Sequence, residues 1–141
     1  MVLFSGVVLI LIVLLSRKED LFNLPQRNFR AWLLICIFYP VFSASIQEVI
    51  YRTFLFRRYN SLFKNKWILV LVSAMAFSFV HIVYYSPVSL ILTLIAGLYL
   101  AYIYEKTGSV LFTSILHGLL GIIIFTVGLG QYFRLDMYKW L

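Results

Sequence analysis

Four ionisable residues lie inside apolar stretches of the sequence, where a charged group is costly. Glu48 and Arg52 occur in the segment SIQEVIYRTF, His81 closes the segment FSFVH, and His117 opens the segment HGLLG. Ionisable side chains within membrane-spanning segments are rare, and each is a candidate functional residue. One such residue alone is more commonly a satisfied structural contact. Four of them on three separate apolar runs favour a shared site.

These residue types and spacings are suited to activating water. Glu48 and Arg52 are four residues apart, so on a helix they share one face. An arginine in that position keeps the glutamate ionised in surroundings of low dielectric. An ionised carboxylate beside water is a general base, and a nearby histidine orients the water, shares its proton or stabilises an oxyanion. The set predicts hydrolysis of a bond presented within the bilayer.

A metal ion is the competing use of the same side chains. Glu48, His81 and His117 would form a two-histidine, one-carboxylate set suited to zinc. The sequence contains no H-E-x-x-H segment. We therefore expect no resident cofactor, and zinc on these three residues is the alternative.

The composition predicts that the solvent around the chain is lipid. Of the 141 residues, 63% are hydrophobic and 12% are charged, whereas a soluble domain has about 45–50% apolar and 25% charged residues. The net charge is +7, but the basic residues cluster at the ends of apolar runs, as anchors of membrane helices do. We expect no nucleic-acid partner. The lone cysteine, Cys36, cannot form an internal disulfide.

The predicted fold class is an all-α, polytopic transmembrane helical bundle, with residues 1–141 as one membrane domain. Continuous apolar runs predict about five spans, because a membrane barrel would show alternation instead. The predicted spans are residues 2–16, 31–56, 67–85, 88–104 and 110–129. The second is longer than a bilayer core requires, so we expect it to tilt, to kink near Pro40 or to extend into the interface.

The depths of the candidate residues along these spans are compatible with one site. We count about 1.5 Å per residue from the side that holds the loop after the second span. Glu48 then lies about 14 Å deep, His81 about 21 Å and His117 about 10 Å. All three depths fall within the membrane, so we expect one active-site cavity there to gather them.

Three segments together resemble a known family. QEVIYR, FSFVH and HGLLG, in this order on separate apolar spans, resemble the motifs of the CPBP intramembrane proteases, whose pattern is E-E-x-x-x-R, F-x-x-x-H and H-x-x-x-N or D. That family includes the CAAX prenyl proteases and bacterial homologues linked to bacteriocin immunity, peptide processing and protein sorting. The resemblance covers about residues 43–128. It implies catalytic roles for Glu48, His81 and His117, supported by Arg52 and Gln47.

Two positions depart from the family pattern. Gln47 stands where the first glutamate is expected, and an amide cannot take a proton from water. Gly121 stands where the third motif has Asn or Asp, which removes a possible oxyanion donor. Three accounts stay open. Glu48 serves as the base with Gln47 as the missing donor, or the chain is a non-catalytic relative, or the glutamine is an engineered inactivating change.

The resemblance implies an intramembrane endopeptidase that uses glutamate-activated water on a membrane-associated or C-terminal sorting-signal substrate. Its partners would be that peptide or protein and the lipid bilayer, and it would be a multi-pass protein of the bacterial cytoplasmic membrane. The competing class is a non-catalytic membrane binding protein or bacteriocin-immunity protein of the same fold. A transporter would need inverted repeats or broken helices around a midplane site, and no repeat is seen in the sequence.

Overall fold

The computed structural model describes residues 10, 13 and 18–135. Its helices are α1 (Asn23–Arg27), α2 (Phe29–Tyr59), α3 (Lys66–Val80), α4 (Pro87–Thr107) and α5 (Val110–Thr126). Short 3₁₀ segments occur at Lys18–Asp20, His81–Tyr84 and Leu129–Phe133. The described residues contain no strand, so the all-α prediction is confirmed.

Three of these helices are long and apolar enough to cross a membrane. They are α2 with 31 residues, α3 with its 3₁₀ extension (Lys66–Tyr84, 19 residues) and α4 with 21 residues, and α5 is a shorter apolar helix. These four correspond to the last four predicted spans. The first predicted span, residues 2–16, falls almost entirely outside the described residues. The chain is a multi-pass integral membrane protein, and the count of five spans stays a prediction.

The helix ends follow from local sequence signals. The Asn65 side chain caps α3 by accepting a hydrogen bond from the backbone N–H of Trp67 at 2.9 Å. Ser86 caps α4 and Pro87 occupies its first turn, a position where the missing proline N–H costs nothing. The helix ends at Gly108, whose φ of 63° is left-handed, a conformation that glycine adopts without strain. Ser109 then caps α5.

The irregularity expected near Pro40 is a widening of α2. Two π-helical segments, Tyr39–Ala44 and Val49–Phe54, flank one α-helical turn at Ser45–Glu48. A proline inside a helix removes one backbone hydrogen bond and crowds the preceding turn, and Pro40 lies at the start of the first π segment. Since π turns change the angular register of a helix and often occur at functional sites, they decide which way the Glu48 turn faces.

Small residues bring the helices together around this turn. A Cβ on Gly97 of α4 would lie 3.1 Å from Phe77 Cδ1 of α3, and one on Gly118 of α5 would lie 2.8 Å from Pro40 Cβ of α2. These close approaches bring α4 against α3 and α5 against α2. Large apolar side chains cover the outside, including Leu34, Phe42, Phe79, Ile95 and Leu111. In a membrane this outer surface is solvated by lipid tails.

Candidate active site

A fully buried ion pair lies on the Glu48 turn of α2. Both Glu48 and Arg52 have 0% exposure, and Arg52 Nε lies 3.3 Å from Glu48 Oε2. Arg52 Nη1 donates to Ser73 Oγ of α3 at 2.6 Å, and Ser73 in turn donates to the carbonyl of Tyr51 at 2.7 Å. The Phe77 ring lies 5.2 Å from the guanidinium carbon, within cation–π range. Buried charges need such partners, so α3 holds the arginine in place.

His117 of α5 contacts the other oxygen of the same carboxylate. Its Nδ1 lies 3.0 Å from Glu48 Oε1, and both side chains are buried. Because an ionised carboxylate only accepts hydrogen bonds, Nδ1 carries the proton and donates it. In the neutral ring Nε2 is then an acceptor, and the hydroxyl of Tyr39 lies 3.1 Å from it. Glu48 thereby fixes both the tautomer and the orientation of His117.

His81 begins the 3₁₀ segment that follows α3. Its Nδ1 lies 2.7 Å from the backbone carbonyl of Phe77, so Nδ1 donates and Nε2 is the nitrogen left for water or substrate. The ring packs on the rings of Phe77 at 4.9 Å, Tyr84 at 5.8 Å and Phe133 at 6.1 Å. The aromatic ring of Phe77 also lies 5.3 Å from that of His117, so one buried phenylalanine separates and positions the two imidazoles.

A small cavity of about 70 Å³ lies among these side chains. This volume has room for a few water molecules. Its polar lining comes from residues of α2, α4 and α5 and of the His81–Tyr84 segment: Tyr39, Ser43, Gln47, His81, Tyr84, Thr93 and His117. Glu48 is not among the lining residues, because its carboxyl lies behind His117. The structure thus places both histidines and Gln47 at the cavity, and Glu48 one hydrogen bond away from it.

Gln47 presents an amide to this cavity. Its Nε2 donates to Ser43 Oγ at 2.9 Å, and an amide nitrogen has a second N–H to offer. Its Oε1 is buried and has no hydrogen-bond partner among the described residues. The side chain therefore has one N–H and a carbonyl oxygen that form no hydrogen bond with the described residues.

Two residues of the site, Ser73 and Tyr39, are not predicted from the sequence. Ser73, Phe77 and His81 are spaced four apart, so this shared helical face could have marked Ser73 as a candidate site residue, although it does not reveal the contact with Arg52. Tyr39 lies in the apolar segment FYP, and no local pattern distinguishes it from the other tyrosines. Its position in the site depends on the π segment that begins with it.

The zinc alternative does not fit this arrangement. Among the described residues, no three His, Cys, Asp or Glu side chains are placed to hold a metal ion. His117 directs Nδ1 at Glu48, and His81 directs Nδ1 at a backbone carbonyl. The residues present therefore do not form the predicted zinc set.

Comparison with known proteins identifies the family. The model of the type II CAAX prenyl endopeptidase Rce1-like family matches residues 28–123. No curated protein and no solved structure matches the chain. The matched region runs from the start of α2 to near the end of α5 and includes Glu48, Arg52, His81 and His117. It is consistent with the CPBP resemblance of the three motifs and extends over more than half of the sequence. The chain belongs to the type II CAAX prenyl endopeptidase Rce1-like family.

Proposed function

We propose that the chain is an intramembrane endopeptidase whose water is activated by Glu48 acting through His117. Membership of an endopeptidase family supports the reaction class. The observation that carries the proposal is the 3.0 Å contact between Glu48 Oε1 and His117 Nδ1, with Arg52 on the other carboxylate oxygen. An acid that orients a histidine, which in turn reaches the reacting atoms, is an established arrangement for general-base catalysis.

In this proposal Glu48 and His117 share the task of the base. Glu48 has 0% exposure, and His117, whose side chain lines the cavity, lies between Glu48 and the cavity. The proton of water passes to His117 Nε2, and the hydroxide attacks the carbonyl carbon of the scissile bond. Glu48 stabilises the imidazolium that results. The imidazolium then protonates the leaving amine.

The remaining polar groups of the cavity act on water and on the oxyanion. His81 Nε2 accepts a hydrogen bond from the attacking water and so positions it, because Nδ1 is already engaged with Phe77. The second N–H of Gln47 donates to the tetrahedral oxyanion, the role that Gly121 cannot fill. Removal of one such donor costs about 10²–10³ in kcat in well-studied hydrolases.

The substrate in this proposal is a membrane-associated peptide or protein, such as one with a C-terminal sorting signal. A cavity of about 70 Å³ admits a scissile bond and water but not a folded domain. The surrounding helices have apolar outer faces, so an extended segment must reach the cavity from the bilayer or its interface. We propose the bacterial cytoplasmic membrane as the location.

A second candidate function is membrane binding without catalysis, as in a bacteriocin-immunity protein. It is favoured by the amide at Gln47, and by the engagement of both His117 nitrogens with protein groups. In this case the cavity would hold a peptide and leave it intact.

Cleavage of a defined probe by the reconstituted chain separates the two functions. The probe is a peptide with a fluorophore, a farnesylated cysteine and three further C-terminal residues, presented in lipid vesicles. We expect wild type to release one tripeptide, identified by mass spectrometry. The variant His117→Ala should be slower by about 10²–10⁴, the usual contribution of a general base. Probe that binds wild type and stays intact would contradict the endopeptidase and support the binding protein.

A further inference from the structure

Tyr39 is a residue of α2 whose side chain packs against α5, and no family motif includes it. It is the first residue of the π segment Tyr39–Ala44. Its ring packs edge-on against those of Phe125 at 5.7 Å and His117 at 6.0 Å. Its hydroxyl lies 3.1 Å from His117 Nε2, and the side chain lines the cavity. Tyr39 therefore contacts both the histidine and the space in which water would react.

Gly121 is the residue that permits this placement. A Cβ at position 121 would lie 2.1 Å from Cε1, 2.6 Å from Cζ and 2.8 Å from the hydroxyl oxygen of Tyr39. These separations are shorter than real carbon contacts, so any other residue at 121 would displace the ring. Gly121 lies one helical turn after His117, and the volume that its side chain would fill is filled by Tyr39. The tyrosine and the glycine are thus sterically matched.

This placement leaves neither nitrogen of His117 open to the cavity. Nδ1 donates to Glu48 Oε1, and Nε2 accepts from the Tyr39 hydroxyl. Water in the cavity can reach Nε2 only through that hydroxyl or after displacing it. A phenolic hydroxyl donates one hydrogen bond while accepting another. It is therefore able to pass a proton between a water molecule and the imidazole without leaving its place.

We propose that Tyr39 is a catalytic residue that relays the proton of the attacking water to His117. One O–H bond of water breaks, and its proton binds the Tyr39 oxygen. The original Tyr39 proton moves to His117 Nε2. The electron pair released from water forms the bond to the carbonyl carbon, which gives an oxyanion, an imidazolium and a neutral tyrosine. The same relay in reverse protonates the leaving amine. The relay rests on the proposed peptidase function.

The variant Tyr39→Phe tests the relay because it removes one oxygen and keeps the ring above Gly121. With the farnesylated peptide probe and the reconstituted full chain, we expect kcat to fall by about 10²–10⁴ and KM to change by less than about threefold. Tyr104→Phe is the matched control, since Tyr104 is a buried tyrosine of the Phe56–Leu69–Val70–Ala101 cluster whose hydroxyl lies 3.5 Å from Thr53 Oγ1. It should retain the wild-type kcat.

A second measurement distinguishes a relay from a structural hydroxyl. Ring-fluorinated tyrosines incorporated at position 39 preserve the hydrogen bond and the packing while making the phenol more acidic. If the hydroxyl must hold its proton to act, the alkaline limb of the pH–rate profile should move to lower pH as fluorines are added. A hydroxyl that only supports the fold would leave that limb unchanged. This series also decides the matter if Tyr39→Phe fails to fold.

The outcomes separate failure of the relay from failure of the function. Tyr39→Phe that cleaves the probe within about threefold of wild type, or faster, would overturn the relay and leave the peptidase standing. Wild type that cleaves no probe would overturn the peptidase and the relay together. The combination that supports the relay is active wild type, active Tyr104→Phe, inactive but folded Tyr39→Phe and a shifted alkaline limb.

Discussion

Glu48→Gln should abolish peptide cleavage, with kcat lower by about 10³–10⁴ than in wild type. The amide has nearly the same shape, but it cannot stabilise the imidazolium that His117 becomes, and its nitrogen can turn towards Nδ1 and impose the wrong tautomer. Loss of the acid that orients a catalytic histidine has an effect of this size in serine proteases. Initial rates with the farnesylated peptide probe in proteoliposomes measure it.

Two comparison variants give this result its meaning. Glu105→Gln makes the same chemical change at an acid that pairs with Lys106, and it should leave kcat unaltered. Gln47→Ala should lower kcat by about 10²–10³, the cost of losing one oxyanion donor, and so by less than Glu48→Gln. If Gln47→Ala were inactive while Glu48→Gln remained within tenfold of wild type, the assignment of the acid would be wrong.

Arg52→Met should destabilise the folded protein by about 3–5 kcal/mol. The substitution leaves the Glu48 carboxylate at 0% exposure with only His117 to balance it, and breaking one half of a buried pair carries a cost of this order. It also removes the N–H group of Arg52 that donates a hydrogen bond to Ser73 Oγ at 2.6 Å. Reversible unfolding in detergent or in bicelles measures the change in the free energy of unfolding.

The matched control and the rescue make this prediction specific. Arg58→Met removes a surface arginine that lies over the Tyr59 ring, and it should change stability by no more than about 0.5 kcal/mol. The double variant Arg52→Met with Glu48→Gln removes both charges, and it should regain much of the lost stability because no uncompensated carboxylate remains. Equal destabilisation by Arg52→Met and Arg58→Met would contradict the buried pair.

Much of the helical framework could be predicted because its signals are local. The Ser86–Pro87 step and Gly108 mark the two ends of α4, and they do so through backbone preferences that tertiary contacts leave unchanged. The spacing of Glu48 and Arg52 also gives their contact directly, since residues four apart are neighbours on a helix. The apolar runs gave the α2, α3, α4 and α5 spans to within a few residues.

The detailed arrangement of the site could not be read in the same way. Two π segments change the register of α2 on either side of Glu48, so regular helical periodicity does not tell which neighbour the carboxyl faces. Its burial behind His117 and the placement of Tyr39 over Gly121 both depend on this register. Ser73 is a partner of Arg52 only because α3 packs beside α2 at that level. Such contacts are tertiary, and one sequence has no direct signal for them.

The most direct test of the account is a double-mutant cycle on kcat for wild type, Glu48→Gln, His117→Ala and the double variant, all with the same peptide probe. If the carboxylate works only through the imidazole, the two act as a unit. The double variant should then be no slower than the more impaired single variant, as is found when catalytic groups depend on one another. Losses that multiply in the double variant would show that Glu48 reaches the substrate or its water independently of His117, and would contradict the account.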